Sequence, residues 1–278
     1  MVLRVALAAS LLAACGFDAD FGGTDYMCRG ECPEGQTCVG GVCRSGGTEP
    51  IDGGPDAQQA IGYAAAVLAD EPILYLRLDE VEGEVAMDSS GAGRHGTYQL
   101  GTSHDADGVV GGAVHCDGVS GRITVPDDDA LRLNGDWTIE LWVKLDEVVN
   151  AFPGLVSKGG ADEVDASYII YYSADRIPVL KRAGTDGIGA TAEPLSTSGY
   201  RYYALVYDQS EATATWYVDG DEAIARGDLT WPDNDNISNL SFGRGDQYGK
   251  QWLDEIAVYD VPLSADQVEA HVAAAKND

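Results

Sequence analysis

The sequence predicts an all-β, two-sheet antiparallel sandwich with short terminal helices, preceded by a small cysteine-rich module. Three observations lead there. Residues 138–145 alternate strictly, with Ile139, Leu141, Val143 and Leu145 between Thr138, Glu140, Trp142 and Lys144, the period of a strand with one buried face. Residues 212–218 and 221–225 flank Asp219-Gly220, a pair suited to a two-residue hairpin turn that needs positive φ at both positions. Helical patterning occurs only at the two ends of this region, and many short strands between terminal helices mean a sandwich.

Taken in order, residues 61–69 read as a short helix stopped by Asp70 and Pro72. Beyond 138–145, strand-like runs follow at 168–172, 202–207 and 239–243, then the hairpin, then a last strand at 252–259. Residues 264–275 form a closing helix with Ser264 as N-cap and Gln or Glu residues behind it. In this arrangement Trp142 points to the wetter face of its strand. His115 and Cys116, being adjacent, face opposite ways and cannot share a site. The sandwich requires the strand beginning at Ile73 to lie beside the one ending at Tyr259.

Ahead of the sandwich (61–275) the chain divides into 1–14, 15–27, 28–43 and 44–60. Residues 44–60 are a flexible linker, with Gly46, Gly47, Pro50, Gly53, Gly54 and Pro55 among polar residues. Cys28, Cys32, Cys38 and Cys43 crowd a segment too small for a core. In an exported chain they read as two disulfides, with three pairings open and a four-cysteine zinc site as the rival. Arg4 and the apolar run 5–12 form the charged and apolar parts of a signal peptide, too short to span a bilayer. Leu12-Ala13-Ala14-Cys15 resembles a bacterial lipobox. That resemblance implies cleavage after residue 14, lipidation of Cys15, and a tether over 15–27. With Gly16 next, it points to the outer membrane or cell surface.

The 278-residue chain carries 17 Lys and Arg against 46 Asp and Glu, a formal net charge of −29. Such a surface repels phosphate backbones, which excludes nucleic acid as a partner recognised through a basic patch.

An ordered set of motifs then resembles one family. Val67-Leu68-Ala69-Asp70, Arg77-Leu78-Asp79-Glu80, Asp88-Ser89-Ser90-Gly91 and Gly96-Thr97-Tyr98 look like the opening of bacterial laminin-G-like domains. Gly112-Ala113, Cys116-Asp117-Gly118, Trp137-Thr138-Ile139-Glu140-Leu141-Trp142, Trp216-Tyr217-Val218-Asp219-Gly220 and Leu253-Asp254-Glu255-Ile256 continue it. The resemblance covers roughly residues 63–272 and implies a concanavalin-A-like jelly roll. Cys116 stands where the family usually has Phe and reads as a free buried thiol. Tyr75 stands near a position that is often Trp.

The resemblance also implies a structural Ca²⁺ between the first and last strands, with Asp88, Asp117 and Asp254 as candidate ligands. It implies a carbohydrate or another surface ligand, so the expected partner is a glycan or an envelope protein. Trp231, Tyr248 and Trp252 near the acidic stretch 233–254 are candidate ligand-binding aromatics. No catalytic residue is assigned. Glu163-Val164-Asp165 begins like the carboxylate signature of glycosidases sharing the fold, but no second Glu follows at the needed spacing. Gly187-Ile188-Gly189 lacks a βαβ context and reads as a turn. Arg244-Gly245-Asp246 is explained by a Gly-rich loop before the last strand.

Overall fold

The computed structural model describes residues 62–159, 167–181, 193–229 and 236–278, with the backbone of four further short strands. The chain forms two compact units, Met1–Gln58 and Gln59–Asp278. In the first, β1 (Tyr26–Met27), β2 (Gln36–Val39) and β3 (Val42–Ser45) pair in the order β1-β3-β2, with Cys38 opposite Cys43 in register. Cys15, Cys28 and Cys32 lie outside the described residues, as do the linker over 46–60, Glu163-Val164-Asp165 and Trp231.

The second unit opens with α1 (Tyr63–Ala69), β4 (Leu74–Leu76), β5 (Val85–Ala86), β6 (Gly96–Tyr98), β7 (Thr102–Asp105), β8 (Ala113–Asp117) and β9 (Ile123–Val125). The long β10 (Trp137–Glu147) follows, then β11 (Gly154–Lys158), β12 (Tyr168–Tyr172), β13 (Pro178–Lys181) and β14 (Ile188–Gly189). It ends with β15 (Arg201–Asp208), β16 (Thr213–Val218), β17 (Asp221–Arg226), β18 (Leu240–Phe242), β19 (Lys250–Tyr259) and α2 (Ala265–Ala275). One antiparallel sheet runs β17-β16-β15-β10-β19-β8-β7, with β4 also on β19; the other runs β14-β13-β12-β11-β18-β9-β6-β5.

The pairing on which the sandwich depends is present. β4 lies antiparallel to β19, with Leu76 opposite Ile256 and Leu74 opposite Val258. The inner faces meet in one core that includes Ile139, Leu141, Val143, Leu205, Leu253, Ile256 and Val258 from the first sheet, and Ile123, Leu155, Ile170, Leu180 and Phe242 from the second. Cutting one of these large side chains to Ala costs about 2–5 kcal/mol. Cys116 joins this core as a free, fully buried thiol, and burial pushes its thiol up to about 12. His115 points the other way and is partly exposed. The β16–β17 turn has φ of 54° at Asp219 and 99° at Gly220, the left-handed pair expected of Asp-Gly. Ser264 and Gln267 form a reciprocal capping box on α2.

Two expectations are corrected. Ile188-Gly189, expected as part of a turn, is the short strand β14, paired antiparallel with β13. The outward face of β10 is not wet over most of its length. Thr138 and Glu140 are fully buried and Trp142 is 7% exposed, because α1 and α2 lie across this face. Tyr63, Val67, Val268 and Val272 from the helices form a second apolar cluster with Trp142, Tyr202, Ala257 and Tyr259. Strict alternation identifies the two faces of a strand but not what covers the second one.

Candidate functional site

The helices cover only part of the outer face, and the division sets the character of each half. Under the helices, Glu140 is buried and accepts hydrogen bonds from the Tyr202 and Tyr259 hydroxyls. His271 on α2 bridges it to Asp70, 3.0 Å to each carboxylate. Burial lowers the His271 pKa, but Glu140 and Asp70 outweigh it and the net shift is upward. This network fastens α2 to the sheet and is sealed from ligands.

Beside it, the β10–β19 register shifts between Glu140 and Trp142. Glu255 sits there at φ 48°, the mark of a bulge. Leu253, Ile256 and Val258 face the inner core, so both Asp254 and Glu255 are sent to the outer face. Asp254 Oδ2 accepts the Val109 and Val110 amides, at 2.6 and 3.4 Å, while Oδ1 is buried without a partner. Burial pushes its carboxyl up to about 8. Burial and the neighbouring Asp254 push Glu255 up to about 9, against the opposing pull of the Tyr75 hydroxyl and of Arg77, whose Nε lies 3.6 Å away. Both are fully buried.

The uncovered half carries a compact aromatic and ionic patch. Lys144 Nζ lies 4.1 Å from the Trp252 ring centroid and 4.9 Å from that of Tyr200. His115 packs on Trp252 at 4.5 Å between centroids. Trp252 Nε1 donates to Asp105 at 2.9 Å, and His115 Nε2 lies 3.1 Å from Asp146. Lys144 makes no hydrogen bond or ion pair within the described protein, so its ammonium donors are unspent. A groove of about 410 Å³ adjoins the patch, lined by Val109, Trp142, Tyr200, Asp219, Val272 and Lys276 among others. Trp142 Nε1 and the Tyr200 hydroxyl have no hydrogen-bond partner. Aromatic faces beside unspent donors and carboxylates are what a sugar ring needs, with its apolar CH faces and its rim of hydroxyls.

The three aspartates expected at a calcium site are not brought together. Asp88 accepts the Tyr75, Ser90 and Arg94 amides, and Asp117 accepts those of Val119, Ser120 and Gly121. These are turn carboxylates with their lone pairs used locally; burial pushes both up, but the Ser90 side chain and the amides at Asp88, and the amides and the Ser120 side chain at Asp117, outweigh it and hold both below the usual carboxylate range. No group of three or more His, Cys, Asp or Glu side chains able to hold a metal occurs among the described residues. Of the trio, Asp254 alone keeps an uncommitted oxygen.

The aromatics are also separated. Trp252 belongs to the patch, whereas Tyr248 lies in the loop that crosses from β18 in one sheet to β19 in the other, with Arg122 and Arg244 against its ring. Arg244-Gly245-Asp246 is part of that loop, and its Gly245 packs on Gly154: a Cβ on Gly154 would lie 1.7 Å from the Gly245 nitrogen. Tyr200, His115 and Asp105 carried no motif, and Lys144 only closed the strand motif that opens at Trp137. Only the alternation of β10, which puts Lys144 on the face of Trp142, hinted at the patch.

A family profile described as the concanavalin A-like lectin/glucanases superfamily, of laminin G type, matches residues 117–269. No curated protein matches the chain. Among solved structures, the binding domain of Paraclostridial Mosquitocidal Protein 1 is similar at 18% identity and a TM-score of 0.60, over 74% of this chain and 52% of that one. The chain thus spans about half of that binding domain. Domain 4 of AbnA, a GH43 extracellular arabinanase from Geobacillus stearothermophilus solved with arabinotriose, is similar at 18% identity and a TM-score of 0.57, over 73% of this chain and 98% of that one. A Trypanosoma rangeli sialidase, solved with a difluoro sugar analogue, is similar at 14% identity and a TM-score of 0.56, over 73% of this chain but 32% of the sialidase. These likenesses show the fold, and the profile, spanning more than half the chain, shows the family: the chain belongs to the laminin-G-like branch of the concanavalin-A-like lectin/glucanase superfamily.

Proposed function

We propose that the sandwich is a non-catalytic carbohydrate-binding module, displayed on the cell envelope by a lipid-anchored chain. The observation that carries it is the Trp252–Lys144–Tyr200–His115 patch beside the groove of about 410 Å³. Trp252 and Tyr200 supply ring surface, Lys144 supplies donors, and Asp105 and Asp146 fix the Trp252 and His115 orientations. The complex of the similar arabinanase domain with arabinotriose supports a sugar as the ligand class. Hydrolysis is not proposed. A glycosidase needs two carboxylates flanking an accessible scissile bond, whereas the two most perturbed acids, Asp254 and Glu255, are fully buried.

Export and anchoring rest on the resemblance of Leu12-Ala13-Ala14-Cys15 to a lipobox, and the two-disulfide reading of Cys28, Cys32, Cys38 and Cys43 on that compartment. The calcium that the family resemblance implies is proposed for Asp254 alone among the three aspartates, since only its Oδ1 is free.

Binding of the full-length protein to a glycan array, repeated with Trp252→Ala and Tyr200→Ala, tests the central reading. Neutral oligosaccharides retained by the parent protein should be lost by both variants, with melting temperatures unchanged. Silence on all sugars, or binding indifferent to both substitutions, sinks the assignment of this patch.

A further inference from the structure

One end of the sandwich is built from the turns at 118–122, 148–153 and 243–249. There, two guanidinium groups meet on one phenol. Arg122 donates from Nη1 to the Tyr248 hydroxyl at 2.6 Å and from Nε to Thr124 Oγ1 at 3.3 Å. Arg244 Cζ lies 5.1 Å from the Tyr248 ring centroid and Arg122 Cζ 5.8 Å. Neither arginine makes an ion pair, and the Arg244 side chain makes no hydrogen bond at all within the described protein, with its Nε buried and unpartnered. Arg77, Arg94, Arg132 and Arg201 are each held by a carboxylate, and Arg176 and Arg226 are also in no ion pair among the described residues, but only Arg122 and Arg244 converge on one ring. In a chain with 46 acidic against 17 basic residues, two arginines that share one ring and have no acid between them call for a ligand that supplies one. A buried donor without a partner costs stability.

The turns are preorganised for this. Asn150 Nδ2 donates to the Gly118 and Tyr248 carbonyls, at 3.1 and 2.7 Å, and ties all three turns together. Gly243, at φ 88°, lets the backbone pass within 2.7 Å of Cys116 Sγ as measured from a would-be Cβ, a place no other residue fills without strain. Alongside, Phe152 is 52% exposed and packs edge-on against Tyr171 at 5.8 Å, and its amide is held by Gln247 Oε1. A planar guanidinium fork matches a carboxylate, and the exposed ring offers a surface for the apolar side of a sugar. The net charge of −29 repels polyanions over distance, which favours an isolated acidic group.

We propose that Arg122, Tyr248 and Arg244 form a second binding locus, for a single carboxylate carried on a sugar. The proposal rests on the reading of the domain as a sugar-binding module, at a different place on it. Methyl glucuronide and methyl glucoside differ only at C6, a carboxylate in the first and a hydroxymethyl group in the second. Titrated against the full-length protein by saturation-transfer NMR, the glucuronide should bind at least about tenfold more tightly, the scale of a charge-assisted hydrogen bond. Arg122→Gln and Arg244→Gln should abolish that preference, and Arg244→Lys should restore part of it. Equal affinities in the parent protein, no glucuronide binding, or a preference that survives both glutamines overturns the proposal. Neutral sugar binding that is lost in Trp252→Ala, with no preference for the acid, leaves the outer-face reading standing and removes this one. Arginine-dependent glucuronide binding without any neutral binding does the reverse.

Discussion

Replacing Asp254 with Asn should flatten the dependence of stability on pH. In the native state this carboxyl is fully buried and pushed by that burial from 3.8 up to about 8. In the unfolded chain it ionises at its ordinary value. Between the two values the native state holds a proton that the unfolded chain has released, so native stability falls as pH rises. The slope is about 1.4 kcal/mol per pH unit for one group. Between about pH 5 and about pH 7 the loss amounts to about 3 kcal/mol. Asparagine keeps the acceptor oxygen for Val109 and Val110 and cannot ionise, so the variant should gain on the parent protein by that amount over the same span. Glu255, raised to about 9, tilts both curves in the same sense, and the informative quantity is their difference. Urea unfolding followed by near-ultraviolet circular dichroism, at several pH values with a chelator present, measures it. Parallel curves for parent and variant would refute the argument and mean that Asp254 is ionised in the fold.

Calcium should oppose that slope, since a cation on Oδ1 requires the ionised carboxylate: replacing chelator by millimolar calcium should raise the melting temperature of the parent protein but not of Asp254→Asn, and identical melts in all four samples would remove calcium from this locus. His271→Gln should cost roughly 3 kcal/mol in mildly acid solution, where the charged imidazole bridges Glu140 and Asp70. The His271 pKa is raised above its unfolded value, so its contribution is complete below that value and is lost as pH climbs through the raised one. The gap between parent and variant must therefore narrow in alkaline solution, and a constant gap contradicts the assignment of charge. Tyr63, Tyr202 and Tyr259 also face this imidazole or its carboxylate, and burial and Glu140 raise the pKa of each, so none of them titrates in that range.

The fold was legible because its signals are local. Alternation along β10, positive φ demanded by Asp219-Gly220 and the cap at Ser264 are each decided within a few residues, and each determines an element. The separation of Cys116 from His115 also followed from strand parity, and the inward place of Cys116 from the family resemblance, in which a Phe usually stands there. What the sequence could not determine is anything that depends on which segments meet. The same alternation in β10 is compatible with a wet outer face or a covered one, and only the docking of α1 and α2 made Glu140 and Trp142 interior residues. Asp88, Asp117 and Asp254 share a residue type and a resemblance, but the distance between their turns is set by sheet order. Only Asp254 was left with an unspent oxygen, because a bulge with φ 48° at Glu255 turns two consecutive acids to one side. The Lys144 patch and the Arg122–Tyr248–Arg244 end are assembled from strands and turns up to 147 positions apart. Local propensity fixes where the chain bends and which way side chains alternate, while long-range burial decides which charges end up without a partner.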